Sequence, residues 1–560
     1  MGTIALVRGI RRSPWWLVPG SIGLASALLW PVLKDPAGAL LWTGGAVADP
    51  RDSAALIAQL ADALLHGGDV GFVFRYPEGA SVLWGGPSLL GYLPVLPISL
   101  TLGPVAAHNL GNILWMSILA IATGLLAKDR GLGPAGITVA AGATLFTPAL
   151  IDEVDGWSLD RATLALVPLT VLALDRCARQ PSPRRVLLAG LVLGGAVYAQ
   201  VYMGLYLAIL APLWVLPRLK RPHVRRQLIA FTAVGLVAAL VATPGLHHLR
   251  TATSTDANTA DSRPLASVVD NVLQPFPDGD ADARINRSRH ARRTRDGLEM
   301  GDAQARLATA AALSLDGWAL MRPQGWVPGG ALWWWLVGLS LVVVHRRHRP
   351  VRAAWDPAVL LVFGAGPFLV VGGGWTGIPL PHLVPWLAIP GWEQLKNVHR
   401  AALMAIPLAA LPVAALVDRV APRRRGPAAV VGAAACTALF VYTHGASLPT
   451  VKTRRLQHAG ALDDLAGQAV AIFPSGSPTP DAVTEAALVH GLRVVANPPF
   501  EARSAGTHPW SEDNPLLNRW TALSGGTRPH RMLHVADFDD ALRNLRSHGL
   551  DAVVVLPAAI

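Results

Sequence analysis

Three short stretches of this 560-residue chain put chemically capable side chains close together. The first is Asp49-Pro50-Arg51-Asp52, two carboxylates three positions apart just before a run of helical periodicity. A carboxylate fixed there has the character of a general base toward a hydroxyl. Equally, Asp52 suits the N-cap of a helix opening at Ser53, with Asp49 a solvated loop residue. The second stretch, Asp152-Glu153-Val154-Asp155, offers three carboxylates within four positions. Hard oxygen ligands at that spacing suit Mg²⁺ or Mn²⁺, which would neutralise a phosphate leaving group; an acidic turn is the plainer alternative. The third brings Lys396, His399 and Arg400 to the head of an apolar run. Cations there can grip a lipid-linked phosphate or pyrophosphate, or simply anchor a helix by snorkelling. Tyr76 and Glu78, on either side of Pro77, suit a sugar site or loop packing.

The elements that must position these groups are set by an apolar composition. The chain is 52% hydrophobic and 15% charged, with a mean hydropathy of +0.39. Such a chain has the bilayer as its main solvent. The formal net charge is +12 and almost every cation is arginine. These arginines lie in short tracts between apolar runs, as the positive-inside rule demands, so the charge reports topology and gives no case for nucleic acid. Cys177 and Cys436 are far apart, with no Cys-x-x-Cys or Cys/His cluster, and indicate neither a disulfide framework nor a zinc site.

Apolar runs of bilayer length and the tracts between them predict an α-helical polytopic membrane protein with about eleven transmembrane helices and a cytoplasmic N-terminus. The transmembrane part takes residues 1–445, with outer loops at about 34–107, 151–157, 246–329 and 373–400. Within the first loop, Ser53 to Leu65 has helical spacing and predicts a helix along the interface. Pro94, Pro97 and Pro104 predict a re-entrant or tilted element. An odd number of crossings puts residues 446–560 outside as a small extracytoplasmic α/β domain. Its predicted strands are Gln468–Phe473, Leu492–Ala496 and Asp551–Leu556, and its predicted helices are Asp481–His490 and Asp537–His548. The spans are nearly free of ionisable residues away from their ends, which speaks against an ion-coupled transporter.

Several phrases carry a family resemblance: the acidic first loop, Tyr76-Pro77-Glu78-Gly79, Gly103-Pro104-Val105-Ala106-Ala107-His108-Asn109-Leu110, Leu380-Pro381, Ile389-Pro390-Gly391, and His399-Arg400 before an apolar run. In these phrases and in layout the chain resembles a bacterial branch of the GT-C-fold membrane glycosyltransferases, which use polyprenyl-phosphate sugars. The resemblance implies a GT-C-like fold in the bacterial inner membrane. It implies a polyprenyl-phosphate-linked sugar as donor, and a glycan, lipid or protein of the cell envelope as acceptor. It also implies an inverting transfer of a hexosyl or pentosyl group. Carried onto this chain, it makes Asp49 or Asp52 the catalytic base, with Asp35 a third candidate, and Asp152, Glu153 and Asp155 the holders of Mg²⁺ or Mn²⁺. The first acidic motif here is Asp-Pro-Arg-Asp rather than adjacent carboxylates, so the choice between Asp49 and Asp52 stays open. Two other classes stand beside this one: a transporter or flippase for a lipid-linked intermediate, and a non-catalytic envelope assembly protein.

Overall fold

The computed structural model describes residues 14–41, 49–67, 89–151, 164–254, 330–343, 349–364, 400–421, 425–444, 453–456, 460–473, 480–494, 535–547 and 549–555, with short pieces at 70–71, 73, 80–81, 327, 370–371 and 374–375. Helices dominate. In chain order they begin with α1 (Leu17–Leu28), α2 (Asp49–Leu65), α3 (Leu96–Leu102), α4 (Pro104–Asp129), α5 (Pro134–Leu145) and α6 (Leu166–Arg179). There follow α7 (Pro183–Gly195), α8 (Val201–Val215), α9 (Val224–Ser254), α10 (Ala331–Val343), α11 (Arg349–Gly364), α12 (Ile406–Val420) and α13 (Arg425–His444). The C-terminal part adds α14 (Pro480–His490) and α15 (Val535–Ser547).

Among the described residues, four helical stretches are long and apolar enough to cross a membrane: Pro104–Asp129, Val224–His247, Arg400–Val420 and Gly426–His444. The remaining expected spans hold shorter helices, among them the apolar Leu17–Leu28, Pro134–Leu145 and Met203–Arg218. The proline-broken stretch forms a short apolar helical unit, Leu89–Leu102, with a 3₁₀ turn at Leu93–Val95. It turns into α4 through Gly103 alone, whose φ of 87° is a conformation that side chains with a Cβ rarely adopt. Pro104 then opens α4, where a missing N–H costs nothing.

Helices α4 and α12 form the centre of the bundle. Their apolar windows are 72% and 78% buried, whereas that of α9 is only 22% buried and faces outward. Close helix approach comes from small residues. A Cβ at Gly190 of α7 would lie 2.5 Å from the Val237 Cβ of α9, and one at Gly194 would lie 2.6 Å from the Ala238 carbonyl oxygen. This Gly-x-x-x-Gly spacing lets the two backbones touch, the packing mode available to helices that cannot rely on a hydrophobic driving force.

The C-terminal elements follow the predicted alternation closely. Strands β3 (Ala469–Phe473), β4 (Arg493–Val494) and β5 (Ala552–Val555) form a parallel sheet in the order β4-β3-β5. The register pairs Val470 with both Val494 and Ala552. Parallel neighbours need a crossover, and α14 supplies it between β3 and β4. Helix α15 buries Ala541 and Leu545, one turn apart, and exposes its charged side.

This unit shares its core with the first-loop segment. Ala54 and Ala55 of α2, Leu40 and Val105 pack with Leu462, Val470, Ala486 and Leu492 in one buried cluster. Strand β1 (Ala39–Leu41) pairs antiparallel with β2 (Thr453–Arg455), Leu40 opposite Arg454. Leu56, Ile57 and Leu60, on another side of α2, join the core of the bundle. The helix predicted to lie along the interface is therefore enclosed by protein on two sides.

Candidate functional site

The first acidic motif is built into a helix terminus. Helix α2 begins at Asp49, so Asp52 sits in its opening turn and does not cap a helix starting at Ser53, as one sequence reading has it. Pro50 suits this first turn, where its missing N–H has no partner to lose. Positions 49 and 52 are one turn apart, and carboxylates in the first turn interact favourably with the N-terminal end of the helix dipole. Asp52 is half-buried. Between them, Arg51 is buried and points to Glu485 of α14, Nη1 to Oε1 3.8 Å.

Behind this turn runs a buried polar chain. Asn112 Nδ2 lies 3.3 Å from His108 Nε2, His108 Nδ1 lies 3.0 Å from Ser53 Oγ, and Ser53 Oγ donates to Tyr92 Oη at 3.4 Å. One proton arrangement satisfies every link: the Asn112 amide donates to Nε2, Nδ1–H donates to Ser53, and Ser53 donates to Tyr92. His108 is fully enclosed and neutral in this arrangement. Beside it, the Asn109 amide donates to the carbonyls of Pro36 and Ala39 at 2.8 and 2.6 Å, fixing the strand that leads into the loop. The Trp115 indole holds Gly91 at 3.0 Å. The position next to Asp52 is thus fastened to α4, and α4 in turn fastens the connections on either side.

Asp35 serves its own turn: its Oδ1 accepts the Gly38 N–H at 3.0 Å just before β1. Arg400 opens a short helix, Arg400–Leu403, leading into α12. Tyr76, Glu78, Asp152, Glu153, Asp155, Lys396 and His399 lie outside the described residues, as does the side chain of Asp49. Among the described residues no group of three His, Cys, Asp or Glu side chains is placed to hold a metal ion.

A second polar centre lies beyond the far end of α4, about 33 Å from His108 at the helical rise per residue. Arg218 Nε donates to Asp175 Oδ1 at 2.6 Å and its Nη2 to Asp356 Oδ2 at 3.0 Å. Arg130 Nε reaches Asp175 Oδ2 at 3.3 Å, and its Nη2 donates to Asp356. The result is a closed, neutral ring of two arginines and two aspartates tying together the ends of α4, α6, α8 and the middle of α11. The Trp214 indole adds a bond to the Asp356 carbonyl at 3.2 Å. Just outside the ring, Arg176 and Arg179 pair with Asp129.

Sequence reasoning passes over both centres. His108 appears only within a family-like phrase, although the i,i+4 spacing of His108 and Asn112 in an apolar helix is a usable signal. Arg130 and Arg218 read as topological charges, and their acidic partners lie 43 to 226 positions away in the sequence.

No family model matches the chain, and no curated protein matches it. Among solved structures, the arabinofuranosyltransferase AftD from Mycobacteria aligns over 97% of this chain at 15% identity, with a TM-score of 0.49. A mutant form of that enzyme aligns at 15% identity with a TM-score of 0.47. The chain spans 35% and 36% of the length of those two structures. Scores below 0.5 at this identity do not establish a shared fold.

Proposed function

We propose that the chain is a membrane glycosyltransferase that moves a sugar from a polyprenyl-phosphate donor to a cell-envelope acceptor at the outer face of the bacterial inner membrane. One observation carries the reading: the acidic motif of the first loop opens a helix that is clamped between the bundle and the C-terminal α/β elements. A carboxylate so held, at the boundary between a bilayer-embedded bundle and a polar unit, is where a lipid-borne donor and a polar acceptor would meet.

The chemistry is a single displacement. Asp52 or Asp49 takes the proton of an acceptor hydroxyl, the acceptor oxygen bonds to the anomeric carbon, and the bond from that carbon to the phosphate oxygen breaks. Inversion follows from attack opposite the leaving group. Lys396 and Arg400, with His399 beside them, balance the departing polyprenyl phosphate, while Tyr76 and Glu78 contact the sugar. A Mg²⁺ or Mn²⁺ held by Asp152, Glu153 and Asp155 would serve the same charge. The eleven-span topology, with residues 446–560 outside and contributing to acceptor binding, belongs to this proposal.

The test is sugar release from a panel of radiolabelled polyprenyl-phosphate sugars by purified, reconstituted protein supplied with an acceptor extract. Replacing the base, Asp52→Asn or Asp49→Asn, lowers turnover by about 10²–10⁴-fold in one variant and much less in the other. Absence of turnover with every donor in folded wild-type protein overturns the proposal.

A further inference from the structure

Residues 176–255 contain ten Lys and Arg residues and not one Asp or Glu. Arg218 is balanced by the buried ring, but the others have no acid of their own segment to offset them. Four fall where α7 and α9 begin: Arg184 and Arg185 on α7, Arg225 and Arg226 on α9, with Lys220 just before. Neither helix carries an acid in its first turn. These starts lie together, since the Arg226 guanidinium donates to the Pro181 carbonyl at 3.2 Å.

The cations fall into two sets. Arg185 and Arg226 are spent on the backbone, Arg185 donating to the Gln180 carbonyl at 3.0 Å. Arg184, Lys220 and Arg225 are exposed, and their side chains make no hydrogen bond or ion pair among the described residues. Directly along the same two helices the surface turns apolar. Leu187 and Leu191 on α7, and Leu228, Ile229, Leu236 and Leu240 on α9, are exposed, Ile229 to 63% and Leu240 to 76%. Apolar side chains at such exposure along a helix of spanning length belong against acyl chains.

We propose that the joint start of α7 and α9 is a binding site for an anionic phospholipid: Arg184, Lys220 and Arg225 hold the phosphate headgroup, and the leucine-lined faces below them take the acyl chains. An amphiphile is the ligand that matches both halves. A soluble anion would use the cations and leave the apolar faces bare. Juxtaposed cations near the membrane surface draw anionic lipid with an energy that adds per charge. The inference rests on α9 lying in a bilayer and is independent of any transferase activity.

The experiment uses the full chain in detergent, titrated separately with phosphatidylglycerol, phosphatidylcholine and inorganic phosphate, and read by native mass spectrometry and thermal midpoint. The wild type binds phosphatidylglycerol more tightly than phosphatidylcholine. The triple variant Arg184→Gln, Lys220→Gln, Arg225→Gln weakens phosphatidylglycerol binding by about fivefold per charge, roughly a hundredfold in all. Its phosphatidylcholine binding is unchanged, and so is lipid binding in the control variant Arg543→Gln, Arg546→Gln on the exposed side of α15. Equal affinity for the two lipids, full affinity in the triple variant, or a phosphate effect as large as that of phosphatidylglycerol each overturns the proposal.

Discussion

The two polar centres joined by α4 solve the same problem by different means. At the start of α4, four neutral side chains, Asn112, His108, Ser53 and Tyr92, pass one hydrogen bond to the next and hold α2 against the bundle. Past its end, Arg130, Asp175, Arg218 and Asp356 hold four helices through ion pairs. A neutral chain loses only the bonds of the link removed, and its members keep no net charge to hide. The ring has no such tolerance: take away one carboxylate and the buried Arg218 is left with a charge that is no longer balanced. The charged fastening sits where bundle helices meet one another. The neutral one sits where the bundle meets the segment proposed to carry the base.

The largest effect is expected in the ring. Asp356→Ala should destabilise the purified protein by about 3–5 kcal/mol, seen as a lowered thermal midpoint, because Arg218 and Arg130 lose a shared buried partner. The double variant Arg218→Met, Asp356→Leu sharpens the comparison. It removes one charge of each sign, leaves Arg130 with Asp175, and should recover most of that loss. A double variant as unstable as the single one would show that these groups do not act as a charge-balanced set.

In the neutral chain the effects should be smaller. His108→Ala should cost about 1–3 kcal/mol, since both Ser53 and Asn112 lose a buried partner. It should also lower turnover if α2 carries the base, which Asp356→Ala should not do in the protein that remains folded. A loss of stability with His108→Ala exceeding that of Asp356→Ala would reverse the contrast between the two centres. The smallest effect belongs to Ser53→Ala, about 0.5–1.5 kcal/mol, because it deletes one end of two bonds and buries no charge.

Much of the framework is legible in the chain. Apolar runs mark the helices, because burial in lipid or in a helical core demands apolar side chains without interruption. Period-two and helical spacing place β3, β5, α14 and α15 to within one or two residues of their bounds, and the start of β4 to within one. Pro94, Pro97 and Pro104 mark the broken helix for a steric reason that is local to each residue. The start of α2 is less legible: Asp52 is a good N-cap type for a helix opening at Ser53, whereas the helix begins four residues earlier, at Asp49, with Pro50 in its first turn.

What the sequence determined by itself was the apolar run, the arginine tract and the acidic motif, each a property of neighbouring residues. Which groups meet was decided by the tertiary structure alone. The Ala39–Leu41 strand pairs with Thr453–Arg455, Arg51 reaches Glu485, Ser53 reaches His108, and Arg130 reaches Asp356. Each partner is distant in the chain, and a buried polar group can accept any of several complements. The choice among them follows from where packed helices bring their ends, which no local pattern records.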